Sequence, residues 1–265
     1  MQPGNSCPNP GALHLWCAYP GDLLDEEASR ACASLLSGDE RARWQRFRVD
    51  RARREYLAAH ALLRNALSHY RALAPQGWRF KVNAHGKPAP DPDEGLRFNL
   101  SHSGGLAVCL ISETGAQVGV DVEPLARANQ IAAVAHRVFS PREQMQLDAL
   151  PPSDRPNRHL DLWTLKEAYV KARGLGFSLP LDQVSFLSDG RDRSPHLQRL
   201  EVDTALDPDP DRWSFTTLDH AGFRIALVVE SAAAGLLDVW QARPPAAPAI
   251  AVAIPPVAWL PERPH

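Results

Sequence analysis

The chain has 265 residues, a length that allows one large domain or two small ones. Hydrophobic residues make up 44% of it and charged residues 23%, as in ordinary globular proteins, and the formal net charge is −2. That charge gives no general attraction to nucleic acid or to an anionic membrane, so anions must be bound by local clusters.

Two further features of the composition indicate the setting. The four cysteines, Cys7, Cys17, Cys32 and Cys109, form no C-x-x-C pair, which argues against zinc. No signal peptide is visible, and prolines interrupt the longest apolar stretch, near residues 249–260, so we expect no membrane span. The expected location is the cytoplasm, with free thiols.

The first part of the chain is predicted to contain one strand, then three helices and then four further strands. Residues 1–12, rich in Pro, Gly and Asn, are predicted to be a loose start. A strand and three helices are predicted at residues 14–19, 22–36, 39–47 and 50–70. In the third helix, Tyr56, Ala59, Leu63 and Leu67 recur at helical spacing. Strands are then predicted at residues 78–83, 96–100, 106–111 and 117–122, with a turn at residues 85–88.

The second part repeats the order of helices followed by strands. Helices are predicted at residues 131–138 and 141–150, the latter with Ser140 as N-cap and Glu143 completing a capping box. Pro151, Pro152 and Pro156 indicate a loop, and a helix through Trp163 and Lys171 is predicted to stop near Gly174. Strands are predicted at residues 184–187, 197–202, 213–218 and 223–229. The Pro- and Ala-rich tail after residue 243 is predicted to be loose or draped over the body.

One internal echo suggests two similar halves. His102-Ser-Gly-Gly is followed by an apolar strand, and so is His220-Ala-Gly-Phe. Alone this is a weak match, but helices precede strands on both sides of it.

The strand Gln117–Glu123 carries the first group of candidate site residues. Alternation places Val118, Val120 and Val122 on one face and Gly119, Asp121 and Glu123 on the other. Carboxylates two residues apart lie roughly 6.6 Å apart along a strand, so both can reach one hard cation such as Mg²⁺. Gly119 would let a ligand approach the backbone. The alternative is a half-exposed strand with a wet acidic face.

The helix through Trp163 and Lys171 carries the second group. Glu167 and Lys171 lie one turn apart on one face, which by itself is typical of a surface ion pair. In a site, the carboxylate would bind a metal or accept a proton from a hydroxyl, and the ammonium would stabilise charge on a phosphate oxygen.

Several candidate anion ligands lie upstream. The turn-forming stretch with Ser101, His102 and two glycines exposes N–H groups that can hold phosphate, although a plain tight turn has the same composition. Lys87 in its Gly-Lys-Pro turn and one or two arginines of residues 41–54 are further candidates, each with a simple surface alternative.

Taken in order, these pieces resemble the surfactin-type (Sfp-type) 4′-phosphopantetheinyl transferases. The matching stretches, which span about residues 39 to 187, are Gly86-Lys-Pro88, Phe98-Asn-Leu-Ser-His-Ser103, Gly119-Val-Asp-Val-Glu123, Phe139-Ser140, Trp163-Thr-Leu-Lys-Glu-Ala-Tyr-Val-Lys171 and Gly174–Leu181. G-x-D-x-E alone is common, but the joint order and spacing are strongly specific.

The resemblance implies a fold and a reaction. The fold would be α+β, with two similar pseudo-twofold-related halves, each a small, mainly antiparallel sheet packed with helices, over about residues 13–113 and 114–243. The enzyme would move the phosphopantetheine arm of coenzyme A to a serine of an apo carrier protein, with Mg²⁺ as cofactor, and release 3′,5′-ADP. A monomer is expected, because one chain supplies both walls of the cleft that binds coenzyme A.

The resemblance also implies residue roles. Asp121, Glu123 and Glu167 match the acids at the metal and pyrophosphate, and Glu167 also matches the proposed base for the serine. Lys171 matches the lysine near the α-phosphate. The remaining matches are to positions that bind the nucleotide phosphates: Arg43, Lys87, Ser101 and His102, of which Arg43 lies in a loosely matching region.

Two other functions are alternatives to this transfer. A Mg²⁺-dependent phosphodiesterase would share the acids but position a water molecule. A non-catalytic module that binds carrier proteins would have no need for Asp121, Glu123, Glu167 and Lys171 together.

Overall fold

The structure is a computed structural model that describes residues 13–134, 137–188, 198–230, 237–241 and 250–251. The predicted loose start, most of the tail and most of the apolar stretch near residues 249–260 lie outside the described residues. The helices are α1 (Glu26–Leu35), α2 (Gly38–Gln45), α3 (Asp50–Leu67), α4 (Ala128–Val134), α5 (Pro141–Ala149) and α6 (Arg155–Arg173). None of the described helices joins the length to the apolar composition that crossing a bilayer requires.

Four sheets accompany these helices. The strands are β1 (Leu13–Ala18), β2 (Phe80–Val82), β3 (Pro88–Pro90), β4 (Arg97–Ser103), β5 (Leu106–Ser112), β6 (Val118–Pro124), β7 (Val184–Ser188), β8 (Gln198–Val202), β9 (Trp213–His220), β10 (Phe223–Glu230), β11 (Leu237–Gln241) and β12 (Ile250–Ala251). The largest sheet has the order β12-β11-β1-β5-β4 and the next β6-β10-β9, while β2 pairs with β3 and β7 with β8.

Two stretches of the chain follow one plan, which confirms the predicted α+β fold with two similar halves. In each, a first strand is followed by three helices, a two-stranded hairpin and a second hairpin whose last strand pairs antiparallel with the first. The resulting strand orders, β1-β5-β4 and β6-β10-β9, correspond. The exact boundaries at residues 113 and 243 stay predictions. The strand β11, which follows the second hairpin of the second unit, pairs in parallel with β1.

The sequence echo marks the same hairpin in both units but is shifted by one residue. The two-residue turns are Gly104–Gly105 and Ala221–Gly222, all with positive φ. Ser103 and His220 therefore occupy corresponding positions before the turn, rather than His102 and His220. The apolar strands that follow, β5 and β10, do correspond.

The main core consists of three apolar clusters that lie between four layers of helix and sheet. Between the two main sheets, Leu15, Val108, Val120 and Leu227 belong to one fully buried cluster. On the outer face of the first sheet, α3 packs against Trp16 and its neighbours. On the outer face of the second sheet, α6 packs against Ala226 and Val228. The order of layers is therefore α3, first sheet, second sheet, α6.

Some elements differ from the prediction, and three of the differences have local reasons. The single helix predicted at residues 22–36 is divided, because Asp25 is extended and its carboxylate accepts from Ala28 N as the N-cap of α1. Pro156, predicted to lie in a loop, is in the first turn of α6, where its missing N–H has no helical partner to lose. The strand β3 was not predicted, since it begins and ends with proline and pairs only with β2.

Gly119 is the residue that lets α6 lie on β6. A Cβ at this position would overlap the carbonyl oxygen of Ala168 and lie 2.5 Å from Ala172 N. The prediction that a ligand approaches the backbone here is wrong: a helix fills the space. The absence of a side chain thus sets the distance between the strand and the helix that carry the candidate site residues.

Gly119→Ala should therefore destabilise the protein by about 1–3 kcal/mol, the usual cost of forcing an extra methyl group into a packed interior. Urea denaturation measures the free energy of unfolding. The matched control is Gly38→Ala at the start of α2, where an added Cβ meets nothing within 4 Å. A Gly119→Ala variant as stable as the wild type would show that α6 does not need this close approach.

Candidate active site

The site begins where β4 and β6 lie side by side without a backbone ladder. Three side chains of β4 bond to β6 at intervals of two residues: Asn99 Oδ1 accepts from Val120 N (2.9 Å), Ser101 Oγ donates to Asp121 Oδ1 (3.0 Å) and Ser103 Oγ donates to Glu123 Oε2 (2.7 Å). Residues two apart on a strand share a face, so one polar face of β4 holds the acidic face of β6.

Lys171 joins these two strands to α6. Its ammonium donates to Asp121 Oδ1 at 2.7 Å, Ser101 Oγ at 2.8 Å and Val120 O at 3.2 Å. These bonds use all three of its N–H donors. The surface ion pair with Glu167 that spacing alone suggested is therefore not formed, and the partner of Lys171 is a carboxylate only 9% exposed.

Asp121 keeps one oxygen without a partner. Asp121 as a whole residue is 6% exposed, and its Oδ2 atom is buried and makes no hydrogen bond. A buried, unpaired carboxylate oxygen is costly, so such an atom indicates either a strained site or a place for a cation or a donor that arrives with a ligand. The predicted alternative, a wet acidic face, does not describe Asp121 or Glu123, which are both buried.

Glu167 lies close enough to Asp121 and Glu123 for their negative charges to affect its pKa. Burial raises the pKa of its carboxyl, and the negative charges of Asp121 and Glu123 raise it further, while Lys171 opposes them. A raised pKa makes a carboxylate a better proton acceptor near neutral pH. The structure thus brings together Asp121, Glu123, Glu167, Lys171 and Ser101.

Glu123 is held by two groups that the sequence did not single out. Its Oε2 accepts from Ser103 Oγ and from Arg127 Nη1, the latter at 2.6 Å. Ser103 could have been found from its alternation with Ser101, and Arg127 from its position four residues after Glu123. The carboxylate of Glu123 is thus bonded to protein groups. Among the described residues, no three His, Cys, Asp or Glu side chains are arranged as a preformed metal site.

His102 points away from Ser101 and Ser103, as alternation along β4 requires. Its Nδ1 lies 3.7 Å from Glu55 Oε2 of α3, and its side chain is 40% exposed. Burial lowers the pKa of His102, and nearby His60 and Lys171 lower it further, whereas Glu55 raises it. Glu55 was not among the predicted site residues, because its contact joins two distant segments.

The two other predicted phosphate ligands, Arg43 and Lys87, contact other parts of the protein. Arg43 is exposed on α2, with its guanidinium 5.7 Å from the centre of the Tyr56 ring. Lys87 turns its ammonium inward to Ala172 O, Gln117 Oε1 and Val118 O, and burial lowers its pKa to about 8. Contact of either residue with a nucleotide phosphate stays a prediction.

A cleft of about 190 Å³ opens beside Lys171, between the β2–β3 turn and α6. Lys171, Lys87 and Asn99 line it together with Gly86 and Gly174. The cleft is thus walled by the first unit on one side and by the second unit on the other.

Comparisons with known proteins identify the family. The model of the 4′-phosphopantetheinyl transferase superfamily matches residues 117–228, and that of the 4′-phosphopantetheinyl transferase N-terminal region matches residues 25–114. The 4′-phosphopantetheinyl transferase HetI of Nostoc sp. is 37% identical over 169 residues, 63% of this chain and 70% of that relative. The chain belongs to the 4′-phosphopantetheinyl transferase family, as its motifs predicted.

Two further relatives agree. A 4′-phosphopantetheinyl transferase of Bacillus subtilis is 33% identical over 65% of this chain and 75% of its own length. The transferase Sfp of Bacillus subtilis strain 168 is 31% identical over the same two shares. Among solved structures, a holo-(acyl-carrier-protein) synthase from Bacillus anthracis, in complex with CoA (3′,5′-ADP), matches 43% of this chain and 94% of that chain, at 20% identity and a TM-score of 0.35.

The raised pKa of Glu167 predicts how stability depends on pH. Between its unfolded pKa, ordinarily 4.5, and its higher folded pKa, the folded protein binds more protons than the unfolded chain, so stability falls as pH rises. At pH 7 and without divalent cations, Glu167→Gln should therefore be more stable than the wild type.

Urea denaturation at several pH values measures this difference, which should shrink below pH 4.5, where the carboxyl is protonated in both states. The matched control is Glu27→Gln, an exposed glutamate of α1. A Glu167→Gln variant less stable than the wild type at pH 7 would contradict the raised pKa.

Proposed function

We propose that this protein transfers the 4′-phosphopantetheine arm of coenzyme A to a serine hydroxyl of an apo carrier protein and releases 3′,5′-ADP. The observation that carries the proposal is the cluster of Lys171, Asp121 and Glu167. In it an ammonium that lines the cleft bonds a carboxylate with an unpartnered buried oxygen, and a second carboxylate with a raised pKa lies near both.

The bonds change in one displacement. The serine oxygen attacks the phosphorus that bears the pantetheine arm, and the bond from that phosphorus to the bridging oxygen of the pyrophosphate breaks. The bridging oxygen leaves with 3′,5′-ADP. Because phosphoryl transfer requires positioning and charge stabilisation more than covalent help, a few well-placed charges are enough.

Glu167 and Lys171 have the properties that these steps require. Glu167, whose pKa is raised, accepts the proton of the serine hydroxyl as the oxygen attacks. Lys171 offsets negative charge on the attacking or leaving oxygen once its ammonium turns from Asp121 to the phosphate. Ser101, which bonds both Lys171 and Asp121, orients the two groups.

The acids fit a magnesium ion by the chemistry of their oxygens. The unpartnered Asp121 Oδ2 is an open ligand position, and Glu167 and Glu123 are the neighbouring carboxylates that would complete the protein's share. Bound there, Mg²⁺ would neutralise charge on the pyrophosphate. Glu123 would have to exchange its bond with Arg127 for the cation.

On the nucleotide side, the proposal keeps Ser101, His102 and Arg43 as phosphate ligands; the family resemblance also assigns Lys87 to phosphate, but its ammonium is bonded to three protein oxygens. We also expect a monomer in the cytoplasm. The cleft has walls from both units of one chain, and the three described cysteines, Cys17, Cys32 and Cys109, are free and buried.

The decisive experiment incubates a panel of apo carriers with coenzyme A and Mg²⁺ and weighs them by mass spectrometry. The panel holds fatty-acid, polyketide and nonribosomal-peptide carriers. Addition of one phosphopantetheine group to any of them, with release of 3′,5′-ADP, is the expected result, and the preferred carrier defines the pathway served.

Two controls separate this function from the alternatives. Release of 3′,5′-ADP from coenzyme A and Mg²⁺ without any carrier would instead identify a phosphodiesterase. Binding of carriers with no gain of mass would identify a module that only binds them.

Glu167→Gln should lower the rate of transfer by about 10²- to 10⁴-fold, the usual contribution of a general base, while the protein stays folded. The rate is measured by the same mass assay, with Glu27→Gln as a control that should transfer at the wild-type rate. Mg²⁺ should also raise the unfolding midpoint of the wild type more than that of Glu167→Gln, because a ligand of the folded state stabilises it. Transfer at an unchanged rate in Glu167→Gln would exclude this residue as the base.

A further inference from the structure

Lys87 is fully engaged with the protein. Its ammonium donates to Ala172 O at 2.7 Å, Gln117 Oε1 at 3.0 Å and Val118 O at 3.2 Å. An ammonium has three N–H donors, so none is left for another acceptor. The three oxygens belong to α6, to the segment before β6 and to β6 itself, whereas Lys87 belongs to the β2–β3 turn of the first unit.

The bond to Ala172 completes the C-terminal end of α6. The last four carbonyls of a helix have no partner within it, and a positive charge there is favoured by the helix dipole. Asn83 of the same turn donates to Gly174 O at 2.8 Å. Gly174 has a φ of 64°, and a Cβ there would lie 2.8 Å from Lys87 Cδ. The turn and the helix end are therefore in direct contact at Gly174, at the floor of the cleft that both of them line.

The bond to Val118 places Lys87 beside Lys171 on β6. Lys87 bonds the carbonyl of Val118, and Lys171 bonds the carbonyl of Val120. Carbonyls two residues apart point to the same side of a strand. Lys87 also holds Ala172, the residue directly after Lys171. It thus fixes both the helix end and the strand edge between which the side chain of Lys171 lies.

Resting on the proposed function, we propose that Lys87 is a positioning residue that holds the end of α6 so that Lys171 meets the reacting phosphate, and that its ammonium does not bind a nucleotide phosphate. This assignment differs from the phosphate contact that the family resemblance implies for Lys87. Its basis is the set of three internal bonds together with the close contact at Gly174.

The test compares Lys87→Met with the wild type. Methionine keeps much of the apolar stem that packs on Gly174 and removes all three donors. At saturating coenzyme A and carrier, kcat should fall on the order of 10- to 100-fold, because a small displacement of a catalytic group is costly. The Kd of 3′,5′-ADP, measured by calorimetry, should stay within about twofold. The matched control is Lys81→Met, an exposed lysine of β2.

A weaker binding of 3′,5′-ADP with an unchanged kcat would overturn the proposal. If Lys87 binds phosphate, Lys87→Met should weaken 3′,5′-ADP binding by about tenfold or more, as for the loss of a charged hydrogen bond, and leave kcat unchanged.

A second variant keeps the test valid if Lys87→Met does not fold. Gln117→Leu removes one acceptor and leaves the lysine in place, so it should lower kcat less than Lys87→Met and leave the Kd of 3′,5′-ADP unchanged. The double variant should be no slower than Lys87→Met alone, because the two residues act through one contact. Multiplied effects in the double variant, or an unchanged kcat in Gln117→Leu, would contradict the proposal.

Hydrogen exchange separates this proposal from the proposed function. The amide of Gly174 donates to Val170 O, and it should exchange faster in Lys87→Met than in the wild type or in Lys81→Met. Unchanged exchange would show that Lys87 does not hold the end of α6, whatever reaction the protein catalyses. If exchange is faster in Lys87→Met but the wild type modifies no carrier, Lys87 does hold the end of α6 and the proposed transfer activity is wrong.

Discussion

The free edge of β6 is the constraint on which the site depends. On one side β6 pairs with β10, but on the side towards β4 its backbone groups bond to side chains. Asn99 Oδ1 accepts from Val120 N, while the ammonium groups of Lys171 and Lys87 donate to Val120 O and Val118 O. A buried backbone group must find a partner, so these side chains are fixed by the same requirement that normally builds a ladder. The two sheets can then separate at this edge and leave a cleft without exposing unpaired backbone to the core.

The close approach of α6 follows from the same arrangement. With Gly119 in the middle of β6, the helix lies on the strand near Ala168 and Ala172, and the residues between them, including Lys171, are carried to the strand edge. A helix held further away would leave Asp121 without its cationic partner. The cost of a buried carboxylate would then be unopposed. The position of the helix therefore decides whether the buried carboxylate of Asp121 has a cationic partner.

Much of this could be predicted from local sequence patterns, and the rest could not for one physical reason. Alternation placed Asp121 and Glu123 on one face, and helical spacing placed Glu167 and Lys171 on another, because both patterns depend only on neighbours along the chain. The capping box at Ser140 and the end of α6 at Gly174 were local as well. Which strand faces β6, and where Lys87 points, depends on segments that meet only after folding.

The errors at Gly119 and β3 have the same origin. A glycine in a strand indicates that something approaches its backbone, but the pattern cannot say whether that is a ligand or a helix. A Pro-x-Pro segment argues against a central strand, yet it is compatible with a short edge pairing whose partner must be known first. The same limit applies to Lys87, where a lysine in a Gly-Lys-Pro turn has the same sequence whether it reaches out to phosphate or inward to the carbonyls of α6 and β6. Only the direction of its side chain distinguishes a ligand of the substrate from a support of the residue that acts on it.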